Sequence, residues 1–336
     1  MTEEHPERLA RLQDALAARS TLKTWSVGAE LIELLRAAHK AGWLTRLREE
    51  TTVAELAASA PVEQVANVLD VFTSAGVTEG KDGVFRLTPA FDALVESSTG
   101  TGLGETLDAL DLMRTRIGLA TGPADGLDAQ QALVQAKDWG IGPAPAAQEL
   151  YRALYAAIPE YRDRLEAGGP LLDVGCGIGA AVLTTAVLYG NLRAVGVEVV
   201  PEIATETRRR AEAAGVADRV EIRTADARTL TDESAFEVSF WAQPFFDPDT
   251  RADTLAAIFR ALRPGGLLLV QELFPPVSDA DESNVRVRLD RLALRQQHAS
   301  YGRSAEDLAA EASAAGFENP EIGVTPLGRL VIARKP

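Results

Sequence analysis

The stretch Leu171-Leu172-Asp173-Val174-Gly175-Cys176-Gly177-Ile178-Gly179 decides how this 336-residue chain folds. An apolar run ends on an acid, three glycines alternate with small or apolar residues, and a helical pattern begins at once. A strand that turns sharply into a helix needs glycine for the turn and for close approach of a ligand to the backbone. The spacing is G-x-G-x-G rather than the G-x-G-x-x-G of dinucleotide binders. Asp173 at the strand end would repel a pyrophosphate, but it suits a ligand carrying an amino group and positive charge. Cys176, the chain's one cysteine, reads as a small side chain within the loop.

Downstream of the glycines, strand and helix patterns alternate. Arg193–Glu198 reads as a second buried strand ending in a carboxylate. Glu198 lies about twenty residues beyond the glycines, where a Rossmann-type sheet places the acid that grips ribose hydroxyls. A helix from Ile203 to Ala214, a strand at Arg219–Arg223 and then Thr224-Ala225-Asp226-Ala227 come next. Phe236–Trp241 is a fourth strand, succeeded by a helix from Arg251 to Leu262, the turn Arg263-Pro264-Gly265-Gly266 and the apolar strand Leu267–Val270. Such alternation implies a parallel sheet with ligands at the carboxyl ends of its strands. Alone, Glu198 would be a solvated strand end and Asp226 a helix cap. Three acids ending three successive strands make coincidence a poor explanation.

This succession resembles the class I methyltransferases that use S-adenosylmethionine. The resemblance implies an α/β, Rossmann-like domain with a mostly parallel seven-stranded sheet. S-adenosylmethionine is then the cofactor, S-adenosylhomocysteine its spent form, and no metal is expected. Asp173, Gly175, Gly177, Glu198, Asp226, Ala227 and Trp241 fall on the cofactor side, with Asp226 where the family commonly receives the adenine amino group. Asp247 and Asp249, flanking Pro248, are close in sequence but read as a solvated loop pair.

The N-terminal half is mainly helical. Leu9, Leu12 and Leu16 recur at helical spacing and predict an amphipathic first helix, with a second beginning at Leu31 and running toward Gly42. Thr51 or Thr52 caps a short helix, with Glu55 at the capping-box position for Thr52, Pro61 starts a longer one, and Val77–Leu87 reads as a hairpin turning at Asp82-Gly83. Two helices and a hairpin make a winged-helix pattern, so a DNA-binding regulator is a rival reading. The recognition segment after Pro61 carries Glu63, Gln64, Asn67 and Asp70, with no arginine or lysine for phosphates or guanine edges. The pattern instead resembles the dimerisation domain of small-molecule O-methyltransferases of natural-product pathways, which implies a homodimer. The expected organisation is a dimerisation domain over residues 1–100, a helical linker and pocket segment over 101–145, and the cofactor domain over 146–336.

Composition narrows the partners. A net charge of −15 argues against a nucleic-acid backbone or an anionic membrane. No run of eighteen apolar residues and no signal-peptide pattern is present, so a cytoplasmic location is expected.

The acceptor side is read from the same resemblance. Family O-methyltransferases carry a catalytic histidine just after the fourth strand. Here Trp241-Ala242-Gln243-Pro244-Phe245-Phe246-Asp247 corresponds, and the histidine position falls on Gln243. Glutamine accepts no proton at working pH. The expected acceptor is therefore a small aromatic or heterocyclic molecule methylated at carbon or nitrogen, an indole-like ring for example, ahead of oxygen. A phenol with another base and a cofactor-binding protein without methyl transfer remain as alternatives. Candidate bases are His298, in a helix expected over Asn284–Ala299, and Glu272 after the fifth strand, with Asp247 and Tyr301 also open. Trp139, in an expected turn, and Tyr151 and Tyr155, on one face of the next helix, are candidate acceptor contacts together with Phe245 and Tyr301. A core-packing role for either tyrosine fits equally well.

Overall fold

The computed structural model describes residues 4–57, 60–122, 126–277, 281, 283–297 and 299–336. The chain divides into two units, Met1–Glu96 and Ser97–Pro336.

In the first unit, α1 runs unbroken over Glu4–Lys40 for 37 residues. The two helices expected there are one. Gly28 lies in its interior, and a lone glycine costs only about 1 kcal/mol of helix propensity, too little to end it. Gly42, at φ 73°, turns the chain into α2 (Trp43–Arg46). Then come β1 (Thr51–Thr52), α3 (Val53–Leu56), α4 (Val62–Ser74), β2 (Thr78–Lys81), β3 (Val84–Leu87) and α5 (Pro89–Glu96). The capping box forms as the sequence predicts: the Glu55 N–H donates to Thr52 Oγ1, and the Thr52 N–H donates to Glu55 Oε2 at 2.7 Å. The hairpin turns at Asp82 and Gly83, both at positive φ, and β3 pairs antiparallel with β2 and with β1. Leu44, Leu47, Leu56, Val65, Leu69 and Phe72 fill the small core. Along α1 the apolar stripe is uncovered: Leu9, Leu12, Leu16 and Trp25 are 57, 55, 53 and 72% exposed.

The second unit opens with four helices, α6 (Leu103–Gly118), α7 (Ala129–Trp139), α8 (Pro145–Ala156) and α9 (Pro159–Glu166). The alternating part comprises β4 (Leu171–Val174), α10 (Ala180–Leu188), β5 (Ala194–Glu198), α11 (Pro201–Ala213), β6 (Val220–Thr224), β7 (Phe236–Trp241), α12 (Pro248–Ala261) and β8 (Leu262–Gln271). The unit ends with α13 (Val285–Gln296), α14 (Ala305–Ala314), β9 (Glu318–Thr325) and β10 (Gly328–Arg334). The sheet has seven strands in the order β6-β5-β4-β7-β8-β10-β9, with β10 antiparallel to both neighbours. This is the class I methyltransferase fold. The chain leaves β4 toward one edge and returns at β7 toward the other, so the crevice for a ligand opens at β4.

The strand period of two separates two cores. Leu171 and Ala194 pack with α8, α9 and α10, whereas Leu172, Val174, Val195, Val197 and Trp241 pack with α12 and α14. Arg263–Gly266, expected as a turn, lies inside β8. The register jumps from Phe236 opposite Leu262 to Val238 opposite Leu267, so this stretch bulges from the ladder rather than preceding the strand.

Candidate active site

Alternation puts Asp173 and Glu198 on the face of the sheet that carries α10. Asp173 is fully buried at the register position of Gly196. One oxygen, Oδ2, accepts the Val182 N–H at 3.1 Å, one of the orphan donors in the first turn of α10. The other, Oδ1, is buried without a partner. Burial raises the Asp173 pKa to about 7, with Glu198 adding like-charge repulsion.

Glu198 spans the loop. Its Oε2 accepts the Gly177 N–H at 3.1 Å and its Oε1 the Val200 N–H at 2.9 Å. Burial raises its pKa as well, against the pull of those backbone donors. Thr207 of α11 donates to the Gly177 carbonyl at 2.6 Å, so both faces of that peptide region are fixed. A Cβ on Gly177 would meet nothing within 4 Å, which leaves open space over the loop between the two carboxylates. Gly175 is different: at φ 72° its missing Cβ would lie 2.8 Å from the Phe246 ring.

Asp226 caps the 3-10 turn Ala227–Thr229, accepting the Arg228 N–H at 2.9 Å, and its carboxylate is gripped by the Arg228 guanidinium, which lowers its pKa. The capping role weighed against the adenine role is thus filled, and Arg228 already occupies both oxygens. Ala227 is buried beside it. Trp241, expected on the cofactor side, faces the opposite way. Its position on β7 sends the ring into the α12 core, edge-on to Phe246 at 5.6 Å and beneath the Arg251 guanidinium at 4.6 Å.

On the acceptor side, Gln243 opens a 3-10 turn, Gln243–Phe245, directly after β7. It is fully buried; Nε2 donates to the Gln271 carbonyl at 3.4 Å and Oε1 has no partner. Trp139 is the last residue of α7 rather than part of a turn, and it lies 5.1 Å from Phe245 and 5.3 Å from Phe274. Gly140, which caps α7, packs so tightly on Ile178 of the glycine loop that a Cβ would come within 2.5 Å. The aromatic trio therefore adjoins the loop. Tyr151 and Tyr155 are both buried on α8. Tyr155 is a packing residue, bonded to Thr185 at 2.5 Å and stacked on Tyr161. Burial raises the pKa of the Tyr151 hydroxyl, and the Asp173 carboxylate adds to the rise.

Of the candidate bases, Glu272 is already engaged. It accepts the Ala305 N–H at 2.7 Å, capping α14, and pairs with Arg329 at 3.2 Å. Both contacts engage Oε1, so this oxygen ties β8 to α14 and β10. His298 lies outside the described residues. The helix expected to carry it ends at Gln296, and Tyr301 stacks under Arg291 and Arg295 at 5.8 and 5.5 Å.

Sequence reasoning missed Arg251. It is buried, donates from Nη1 to the Gln243 carbonyl at 2.7 Å and pairs with Glu311 of α14. An arginine among the polar residues of an amphipathic helix gives no sign of this. Arg116, also buried, donates to the Gln296 carbonyl, and Gln135 Nε2 donates to Gln297 Oε1 at 3.0 Å, so α6 and α7 hold the end of α13. Among the described residues, no group of three or more His, Cys, Asp or Glu could hold a metal ion.

A mixed sheet of this order, with a glycine loop and two buried acids at the strand ends, defines a nucleotide-type crevice on a class I methyltransferase fold. Residues 171–266 match the family described as a methyltransferase domain. A carboxy-S-adenosyl-L-methionine synthase from Cronobacter sakazakii is 35% identical over 106 residues, which are 30% of this chain and 42% of that protein. The chain thus spans less than half the length of such curated relatives. Over nearly the whole chain the likeness is structural. An O-methyltransferase family protein from Burkholderia thailandensis superposes with a TM-score of 0.70 at 16% identity, covering 94% of this chain and 97% of that one. Human N-acetylserotonin methyltransferase, solved with S-adenosylmethionine, gives a TM-score of 0.63 at 17% identity, covering 95 and 97%. At such identities the likeness is one of fold.

Proposed function

We propose that the protein binds S-adenosylmethionine and transfers its methyl group to a small aromatic or heterocyclic acceptor, at carbon or nitrogen ahead of oxygen. The cofactor reading is supported by the unpartnered Asp173 Oδ1, the Glu198 carboxylate and the open space over Gly177. Asp173 would hold the cationic amino-acid end, and Glu198 the ribose. When bound, that cofactor supplies an electrophilic methyl on sulfonium. The chain's own task is to align the acceptor behind that carbon and exclude water, which can supply up to about 7–11 kcal/mol. The wall of Trp139, Phe245 and Phe274 suits a flat ring.

The observation that carries the order of acceptor atoms is Gln243: a buried amide, not a base, at the turn where the resemblance implies a histidine. Glu272 Oε1 is held by Arg329 and α14. An electron-rich ring carbon or an amine needs little help in losing its proton. Incubation with methyl-labelled cofactor and a panel of indoles, anilines and phenols, read by NMR, should give new C- or N-methyl signals; ethers alone would overturn the order.

The first unit acts, on this reading, as a winged-helix dimerisation module, the exposed stripe Leu9, Leu12, Leu16 and Trp25 of α1 packing on a second copy. Sedimentation as a monomer at micromolar concentration would refute that. Among the described residues, no helix is long and apolar enough to cross a membrane, and a cytoplasmic place fits the acidic charge of −15.

A further inference from the structure

The turn Gln243–Phe245 has little of its own to hold it. Pro244 brings no N–H, and the bond that closes the turn, from the Phe246 N–H to the Gln243 carbonyl, is 3.3 Å long. Phe245 is 43% exposed and belongs to neither core of the sheet, yet its ring lies 5.1 Å from Trp139. Where that ring sits depends on the backbone of the turn, and the backbone is held from outside. The Ser300 N–H donates to the Pro244 carbonyl at 2.7 Å, and Arg251 Nη1 donates to the Gln243 carbonyl at 2.7 Å.

Arg251, on α12, is a costly residue for a packing role. It is 3% exposed, and burial lowers its pKa against the pull of Glu311. A buried ion pair stabilises little over apolar side chains of the same volume, because both ions lose their water. What a guanidinium does that an apolar chain cannot is divide its donors among several acceptors. Nε and Nη2 bind Glu311 Oε2 at 3.1 and 2.5 Å, and Arg303 holds Glu311 in turn. Nη1 is left for the turn. The same group lies 4.6 Å from the ring centre of Trp241, the last residue of β7, and Phe246 packs edge-on against that ring. One side chain thus joins the strand end, the turn and α14.

Resting on the methyl-transfer reading, we infer that Arg251 is a positioning residue for the acceptor. Through the Gln243 carbonyl it sets the turn that presents Phe245 to Trp139, and with it the aromatic wall proposed for the acceptor ring.

Two variants separate this role from stability. Arg251→Met removes the donor to the turn, whereas Glu311→Gln removes the charge pairing and leaves the Nη1 bond in place. Both should melt below the native protein. Amide exchange is read by mass spectrometry on the full-length protein, in peptides spanning residues 242–246, each protein held equally far below its own melting point. Exchange should quicken about tenfold in Arg251→Met, as loss of a charged donor implies, and stay native in Glu311→Gln. Exchange that is unchanged in Arg251→Met, or that quickens alike in both variants, overturns the inference.

Calorimetry with indole, on protein saturated with S-adenosylhomocysteine, gives the second readout. Arg251→Met and Phe245→Ala should each raise the indole dissociation constant about fivefold. The double variant should rise no further, since both changes act on one ring. S-adenosylhomocysteine affinity should stay native in all three. Additive losses would show that Arg251 does not act through Phe245 and overturn the inference. Should Arg251→Met fail to fold, Arg251→Lys takes its place, keeping a charge for Glu311 without a second prong for the Gln243 carbonyl. Native protein that binds S-adenosylhomocysteine but no indole counts against the aromatic acceptor reading, while the exchange comparison still decides for Arg251.

Discussion

The two sides of the crevice are built on different terms. On the cofactor side, the two acids reach backbone N–H groups 2 to 21 positions away: Asp173 reaches Val182, and Glu198 reaches Gly177 and Val200. On the acceptor side the contacts join distant segments through side chains, as Gln135 to Gln297, Arg116 to Gln296 and Arg251 to Glu311 do. Backbone donors are present whatever the residue, so the first side needs only glycines and two acids. The second needs particular residues from α6, α7, α12, α13 and α14, and this is the side that can vary with the acceptor.

The contrast can be broken first at Arg251. Replacing it by Met removes the Gln243 carbonyl's side-chain donor, leaving it the Phe246 N–H, and leaves Glu311 with Arg303. Breaking a buried pair is strongly destabilising, and with Glu311 partly exposed a loss of about 3 kcal/mol is expected. Urea unfolding would measure it. If the two sides are separate constructions, S-adenosylhomocysteine affinity of the folded fraction stays native. A matching fall in that affinity would show that they are not.

Glu198→Ala attacks the other side. It leaves the Gly177 and Val200 N–H groups without their acceptor and removes the proposed ribose contact. Cofactor binding should weaken by about 2–3 kcal/mol, with the aromatic acceptor compartment unchanged. Calorimetry showing native affinity would contradict the assignment of Glu198.

The third test sharpens rather than breaks the contrast. Asp173 is harder to ionise in the fold than in the unfolded chain, its pKa being raised from 3.8 to about 7. The folded apoprotein therefore holds a proton that the unfolded chain has lost. That stabilisation is complete below the unfolded value and drains away as pH rises through the folded one. Between about pH 4 and pH 7 it should cost up to about 1.4 kcal/mol for each pH unit. Glu206, lowered to about 2 chiefly by its hydrogen bond from Arg209, acts in the opposite sense at lower pH. Asp173→Asn should flatten the melting profile over the Asp173 window. A profile as steep as the native one would place the titration elsewhere.

This contrast also explains what could be read from residues alone. The glycine loop, the strand ends at Asp173 and Glu198, the capping box at Thr52 and the Asp82-Gly83 turn were legible, because each is announced by a local pattern of residue types. Trp241 was misplaced for want of register: one step along β7 decides which of two cores a side chain enters, and the bulge opposite Phe236 obscures the count. Glu272 carries the same charge whether it caps a helix or serves a ligand, and its partners, Ala305 and Arg329, lie 33 and 57 positions away. Arg251, Arg116 and the amides gave no local sign, since only folding brings their partners near.

Gly175 has a consequence for how the two ligands would sense one another. A Cβ added there would lie 2.8 Å from the Phe246 ring, and Ser300 Oγ donates to the Phe246 carbonyl at 3.3 Å. On the proposed reading, a shift of that ring would press on the loop proposed to hold the nucleoside, and any such coupling would be reciprocal, each guest altering the other's grip by the same factor.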